Sequence, residues 1–355
     1  MQRVYVLGAG ASHFVGFPLG RCLLPFLKSE WKNTKDRMVR DLGRYSLDFI
    51  ETVTCVLPVE RLSNGEPDLE CVLSLTDLNS RDGSNGLEYG PLINDLNTIM
   101  KKFDLNAWDL TRVRQGFTTL VASAFQYKSY QLLNQSSGPT YKDFIITSAA
   151  WTDRVKPGDT LITFNWDLLR EILLWKVKKW SYEDGYGIQT TPEKPPNPSP
   201  TTILKLHGSC NWSLRHQQDQ SLRIDYTDSF FGAMNHGMQD SAPLGSTSDY
   251  GTSLIVPSYL KDPLRINVLR SVWDTAACVI RKAEDLVILG YSLPNADVSA
   301  KRLFREMVQY NTTLKSIMLV LGTDDESFER WEALFGGYRK VCKRVRQKFE
   351  EFIAE

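Results

Sequence analysis

The residues best suited to chemistry in this sequence sit directly after short apolar runs. His207 follows Ile203-Leu204-Lys205-Leu206 and precedes Gly208, while Asn165 and Asp167 follow Leu161-Ile162-Thr163-Phe164. Gly8-Ala9-Gly10-Ala11-Ser12 follows Val4-Tyr5-Val6-Leu7, and Gly290-Tyr291-Ser292 follows Leu286-Val287-Ile288-Leu289. A histidine can accept a proton near neutral pH, an amide can orient a hydroxyl or a water, and a carboxylate can offset developing positive charge. Glycines before a helix let an anion approach backbone N–H groups. Each segment also has a plain structural reading: a helix-packing turn, an N-cap pair, a core histidine. As an ordered set they describe a site for a phosphate-containing ligand. The dinucleotide fingerprint G-x-G-x-x-G is not met, because His13 stands where the third glycine belongs.

These segments need a scaffold that brings strand ends together. The apolar runs are near-continuous rather than alternating, and each is followed by a helix-like stretch, which predicts an α/β fold with a doubly wound, mainly parallel, Rossmann-like sheet covered by helices on both faces. In such a sheet ligands bind beyond the carboxyl ends of the strands. Residues 36–150 lose the strand pattern and show helix-spaced apolar positions such as Leu69, Val72, Leu73 and Phe117, Leu120, Val121, Ala124. The division expected is therefore 1–35 with 151–325 as the sheet domain, 36–150 as a large helical insertion, and 326–355 as a C-terminal helical segment. Five prolines between Thr190 and Pro200 forbid regular structure there. Residues 215–251, without clear period, read as a long excursion, and Leu254-Ile255-Val256 as a return to the sheet. Helices are expected over 167–179, 263–283 and 296–310, and a further strand over 316–321.

Composition removes several classes of function. With 42 Lys and Arg against 42 Asp and Glu, the chain has no net field to gather nucleic acid or an anionic membrane, so nucleic acid is disfavoured as a main partner. No apolar run approaches the ~20 residues of a spanning helix, and the start of the chain lacks a signal-peptide pattern, so a cytoplasmic location is expected. The six cysteines, at 22, 55, 71, 210, 278 and 342, form no C-x-x-C pair and read as free thiols, with no metal site expected. Of the four histidines, His13, His216 and His236 are assigned to surface or loop positions. Trp166, Trp175 and Trp180 read as core.

The ordered set GAGAS at 8–12, TFNWD at 163–167, LHG at 206–208 and GYS at 290–292 resembles the sirtuin superfamily, and Gly16-Phe17-Pro18 matches the glycine-x-proline after that family's first loop. Leu19-Gly20-Arg21 stands where protein deacylases carry an acidic-aromatic-arginine run, and their cysteine-bound zinc module is missing. The helical insertion, GYSLP and NWD look like the sirtuin-like effectors of bacterial antiphage defence, which hydrolyse NAD.

That resemblance implies an NAD+ glycohydrolase using NAD+ as substrate and no metal. Asn165 would orient ribose hydroxyls or water, Asp167 would fix the ribose or offset positive charge, and His207 would act as base. Gly8, Ala9, Gly10, Ala11 and Ser12 would bind the pyrophosphate, with Gly290, Tyr291 and Ser292 near the adenosine ribose. It further implies gating by homo-oligomerisation or by a hexameric helicase-type ATPase. The rivals are an NAD-dependent protein deacylase and a non-catalytic module that senses NAD or ADP-ribose. Glu70, on a predicted amphipathic helix, has a default structural role. The basic run Arg339 to Lys348 has helical spacing and reads as a solvated face or an oligomer contact.

Overall fold

The computed structural model describes residues 2–33, 37–56, 59, 61–62, 64–80, 110–134, 139–181, 185–187, 200–216, 222–226, 250–252 and 267–355. Its centre is a six-stranded parallel sheet. The strands are β1 (Arg3–Leu7), β2 (Thr160–Thr163), β3 (Thr202–Lys205), β7 (Asp285–Leu289), β8 (Ser316–Val320) and β9 (Cys342–Val345). They lie in the order β3-β2-β1-β7-β8-β9. The chain thus winds outward from β1 in one direction, returns to its other side at β7, and winds outward again. This is the doubly wound arrangement expected, with its switch in strand order at β1 and β7.

Register then fixes where the site falls. Leu7 lies opposite Thr163 on one side and Leu289 on the other, Thr163 pairs with Lys205, and Leu289 with Val320. Five strands therefore end in one row, and the polar segments that follow β1, β2, β3 and β7 emerge along a single edge. Successive residues of a strand point to opposite faces. Val4, Tyr5, Val6 and Leu7 are all buried, as are Leu286, Val287, Ile288 and Leu289, so both faces of the sheet are covered. Each such aliphatic side chain stabilises the fold by roughly 1.5–3 kcal/mol. The covering helices include Leu169–Lys176, Asn267–Lys282, Val298–Gln309 and Asp325–Phe335. Tyr5 meets Trp151 edge to face, tying the sheet to helix Pro139–Arg154.

The described part of 36–150 is helical. Helices Arg37–Val56 and Leu110–Asn134 pack through small residues. A Cβ on Gly116 would come within 2.3 Å of Leu42 O and of Ser46 Oγ. Ser46 Oγ also donates to Val113 O at 2.7 Å, so a helix interior polar group is satisfied by the neighbouring helix. Among the described residues no helix is long and apolar enough to cross a membrane.

Two expectations are corrected. The stretch read as an excursion from 215 to 251 contains strand structure: β4 (Trp212–His216), β5 (Leu222–Tyr226) and β6 (Tyr250–Thr252) form an antiparallel sheet in the order β5-β4-β6. Trp212-Ser213-Leu214-Arg215 and Leu222-Arg223-Ile224-Asp225-Tyr226 do alternate apolar and polar residues, a period of 2 that a reading built on near-continuous apolar runs passes over. The basic run expected to be helical contains β9, parallel to β8 at the sheet edge. Val341, Cys342 and Val345 mimic helical spacing, but the four-residue strand is set by pairing with β8, a contact invisible in local sequence. Its charges suit an edge, where lysine and arginine discourage further pairing. Leu254–Val256, His236 and most of the proline-rich stretch lie outside the described residues.

The Gly116 crossing yields a test. Alanine is the better helix former by about 1 kcal/mol, but its methyl must displace backbone of the facing helix. Gly116→Ala is expected to lower stability by about 1 kcal/mol or more in urea melts, the overpacking cost exceeding the propensity gain.

Candidate functional site

At the row of strand ends a cleft of about 880 Å³ opens, within the roughly 300–1,000 Å³ typical of small-molecule sites. Ala9, Gly10 and Ser12 after β1, Asn165 and Asp167 after β2, His207 after β3, and Gly290, Tyr291 and Ser292 after β7 all line it. The four sequence segments are thus brought to one cavity. Gly8 and Ala11 lie in the same loop but are not on its wall.

The glycines serve a different purpose from the one expected. Gly8 N donates to Leu289 O and Gly10 N to Gly290 O, each at 3.0 Å; Ala11 N donates to Gly8 O at 2.9 Å and Ser12 N to Ala9 O at 3.1 Å. These four N–H groups are engaged within the protein. A Cβ on Gly8 would lie 2.5 Å from Tyr291 Cα, and one on Gly290 2.5 Å from Ala11 N. Gly290 also has φ +60°, where a side chain costs about 1–2 kcal/mol. The glycines let two loops cross backbone against backbone. A Cβ on Gly10 would likewise lie 2.9 Å from Gly290 Cα.

Asn165 is held by this crossing. Its Nδ2 donates to Gly8 O at 2.9 Å and to Ser12 Oγ at 3.2 Å, and its backbone N donates to Thr163 Oγ1 at 3.1 Å. A carbonyl can only accept, so the contact with Gly8 O fixes the amide orientation. Oδ1 is then the atom available to accept a hydrogen bond from a ligand. Ser12, fully buried, acts as Asn165's partner rather than as an exposed hydroxyl. Asp167, one residue before the N-cap position Leu168, accepts from Leu169 N through Oδ1 at 3.0 Å and so shapes the turn into the helix. Asp167 is buried and reaches the cleft only at its wall.

Behind these residues lies a buried ion pair. Lys205 Nζ is 2.7 Å from Glu171 Oε1, with side chains 0% and 1% exposed, and it also donates to Asp167 O. Burial pushes the Glu171 carboxyl up, against the lowering pull of Lys205. Tyr186 OH adds a contact to Glu171 at 3.4 Å. One ammonium therefore fastens the turn carrying Asn165 and Asp167 to the strand end that carries His207. Arg170, also buried, donates to Ala11 O and faces the rings of Trp151 and Phe349, 4.9 and 4.3 Å from their centroids. Burial lowers its pKa to about 10.

His207, 12% exposed, stands edge-on to Phe164, whose ring is stacked on Tyr291 with centroids 4.0 Å apart. Its Nε2 lies 3.8 Å from Asp297 Oδ1. Asp297 Oδ2 accepts from Tyr291 OH at 2.6 Å. The Tyr291 phenol is held well above its ordinary range by burial first and then by the charges of Asp297 and Glu70. Tyr291, expected beside a ribose, is thus buried with its hydroxyl turned to Asp297. Glu70 lines the cleft next to Asp68, whose Oδ1 accepts from Glu70 N at 2.8 Å. Asp297 escaped sequence reading because the helix there was expected to begin at Ala296, which hid an aspartate at a helix start. His13 is exposed at the cleft rim and bonded through Nδ1 to Phe17 O at 3.0 Å, and the side chain of His216 lies outside the described residues. Trp166 and Trp180 are buried. Among the described residues no group of three or more His, Cys, Asp or Glu is placed to hold a metal ion.

No family model and no curated protein sequence matches this chain. Among solved structures, Sir2Tm bound to a propionylated peptide aligns at 9% identity and TM-score 0.38, covering 99% of this chain and 90% of that one. A Sir2 complex with a p53 peptide and NAD+ aligns at 10% identity and TM-score 0.39 with the same coverage. A Sir2 structure concerned with enzyme mechanism and regulation aligns at 12% identity and TM-score 0.32, again over 99% and 90%. The doubly wound order itself rests on the register pairs of the sheet.

The ion pair predicts a non-additive stability pattern. Lys205→Met strands a buried carboxylate and is expected to cost about 3–5 kcal/mol, whereas Lys205→Met with Glu171→Leu recovers most of that loss. Urea melts of both variants check this, and equal losses in the two would show that the cost does not come from a stranded Glu171 carboxylate.

Proposed function

We propose that this chain binds NAD+ in the cleft and hydrolyses the nicotinamide–ribose bond to give nicotinamide and ADP-ribose. The observation that carries this reading is the convergence of Asn165 and His207, from the ends of adjacent strands, on one cavity of dinucleotide size. The ordered motifs GAGAS, TFNWD, LHG and GYS, with their sirtuin resemblance, support the choice of ligand.

The chemistry asks little of the protein. The bond to be broken joins ribose to a cationic pyridinium, so its electron pair leaves with a neutral nicotinamide and no strong general acid is needed. The sugar carbon develops oxocarbenium character, and water adds to it with loss of a proton. His207 would take that proton, directly or from a ribose hydroxyl. Asn165 would receive a hydrogen bond at Oδ1, orienting the water or a ribose hydroxyl, while its Nδ2 stays bound to Gly8 and Ser12. Asp167 would hold the turn and lend negative charge to the wall facing the cationic sugar. Gly10 and Gly290 give that wall bare backbone, against which the pyrophosphate would lie, with Ser292 at the rim. As a cytoplasmic defence effector, such an enzyme would act by depleting NAD, and gating by self-assembly or by a helicase-type ATPase would keep the resting cell safe.

Purified protein is expected to release nicotinamide from NAD+ without any peptide. His207→Ala should lower the rate by about 100-fold or more, in line with the loss of a general base. Asn165→Ala should abolish most turnover while NAD+ affinity, measured by calorimetry, stays within a few-fold. Release only when an acetylated peptide is added would identify a deacylase, and binding without release would identify a sensor.

A further inference from the structure

Asp297 occupies the position before helix Val298–Gln309, where an aspartate ordinarily accepts a backbone N–H from the first turn. Its side chain makes no such cap. It is buried, receives the Tyr291 hydroxyl at 2.6 Å on Oδ2, and directs Oδ1 toward His207 Nε2 at 3.8 Å. A capping position has been diverted to another purpose.

We propose that Asp297 is a positioning residue for His207, an acidic partner that aligns the imidazole and stabilises its protonated form, with Tyr291 as the clamp that holds the carboxylate in place. The inference rests on the reading of His207 as the proton acceptor. Three contacts make the arrangement specific. Phe164 packs edge-on against the His207 ring at 5.0 Å and stacks on Tyr291 at 4.0 Å, so one aromatic ring sets both members of the relay. Tyr291 also sits under Trp331, whose Nε1 donates to Tyr291 O at 2.8 Å, fixing the backbone from which the clamp projects. The phenol is held well above its ordinary range, so it remains a donor to Asp297 at any neutral pH.

Other charges face the same space. Asp68 and Glu70 come from the start of helix Leu69–Ser80, and Asp167 from the turn after β2. On the strand of His207 itself, the Lys205 ammonium is taken up by Glu171 and Asp167 O. Asp297 Oδ1, at 3.8 Å from Nε2, is placed to pair with the imidazole once it is protonated. When His207 accepts a proton from water, the imidazolium thus gains a carboxylate already in place, and no water need reorganise around it.

The test reads His207 directly. With four histidines in the chain, the imidazole resonances can be followed by NMR, and His207→Gln identifies the relevant one. In the unaltered protein the His207 midpoint is expected above about 6.5. Asp297→Asn keeps the shape but removes the charge, and should lower that midpoint by about 1 pH unit. Asp297→Glu restores the charge and should return most of the shift. The acid limb of nicotinamide release should move to lower pH in Asp297→Asn, with kcat reduced and NAD+ affinity held within a few-fold. A midpoint at or below 6.5 in the unaltered protein, or one unmoved in a folded Asp297→Asn variant, overturns the proposal even if NAD+ is hydrolysed. Failure of the unaltered protein to release nicotinamide, with the midpoint shift intact, would instead overturn the reading of the reaction and leave the ion pair standing.

Discussion

The crossing of two loops at the middle of the sheet is the constraint on which the rest depends. Gly8 and Gly10 after β1 meet Gly290 and Tyr291 after β7 with backbone against backbone, closely enough that a single methyl group at Gly8 or Gly290 would collide with main chain. Main-chain bonds from Gly8 to Leu289 and from Gly10 to Gly290 continue the β1–β7 pairing past the ends of the strands. The Asn165 amide is fastened to this crossing from the other side of β1, and Tyr291 leaves it on the way to Asp297. Position in the site is therefore inherited from a main-chain contact rather than from side-chain packing, which would leave more freedom.

A second tier of support lies beneath. Burying Lys205 and Glu171 together is expensive in desolvation, and such pairs often contribute little net stability. Here the ammonium also bonds the carbonyl of Asp167, so it joins three chain segments that must keep their spacing for Asn165 and His207 to face one cavity. Arg170 does the same for the first loop, set against two aromatic rings and bonded to Ala11 O. The two buried cations brace backbone carbonyls rather than the ligand's space.

Much of this was legible in the sequence because the sheet is buried on both faces. Val4 to Leu7 and Leu286 to Leu289 announce themselves as strands without any help from neighbours, and the polar residues that follow them must then lie at one edge. The convergence of Asn165, His207 and the glycine turns follows from that. What was not legible depended on partners distant in the chain. Nothing local says that Gly8 is small because of Tyr291 rather than because of a ligand, or that Cys342 to Val345 will pair with β8 when its spacing also suits a helix. Asp297 was hidden for a related reason: an aspartate at a helix start carries the same sequence signature whether it caps the helix or turns away to a tyrosine and a histidine.

The pairing of β1 with β7 also has a consequence for the order of events at the ribosome. β1 is made long before β7, one of its two neighbours in the sheet. Until then the first loop has no Gly290 to cross, and Asn165 has no fixed anchor at Gly8. A nascent or prematurely terminated chain ending before Leu289 carries Asn165 and His207 yet cannot set them in register, because the wall bearing Tyr291 and Asp297 does not exist. Long-range closure of this kind slows folding. It also makes the arrival of β7 and the loop after it a precondition for the cavity.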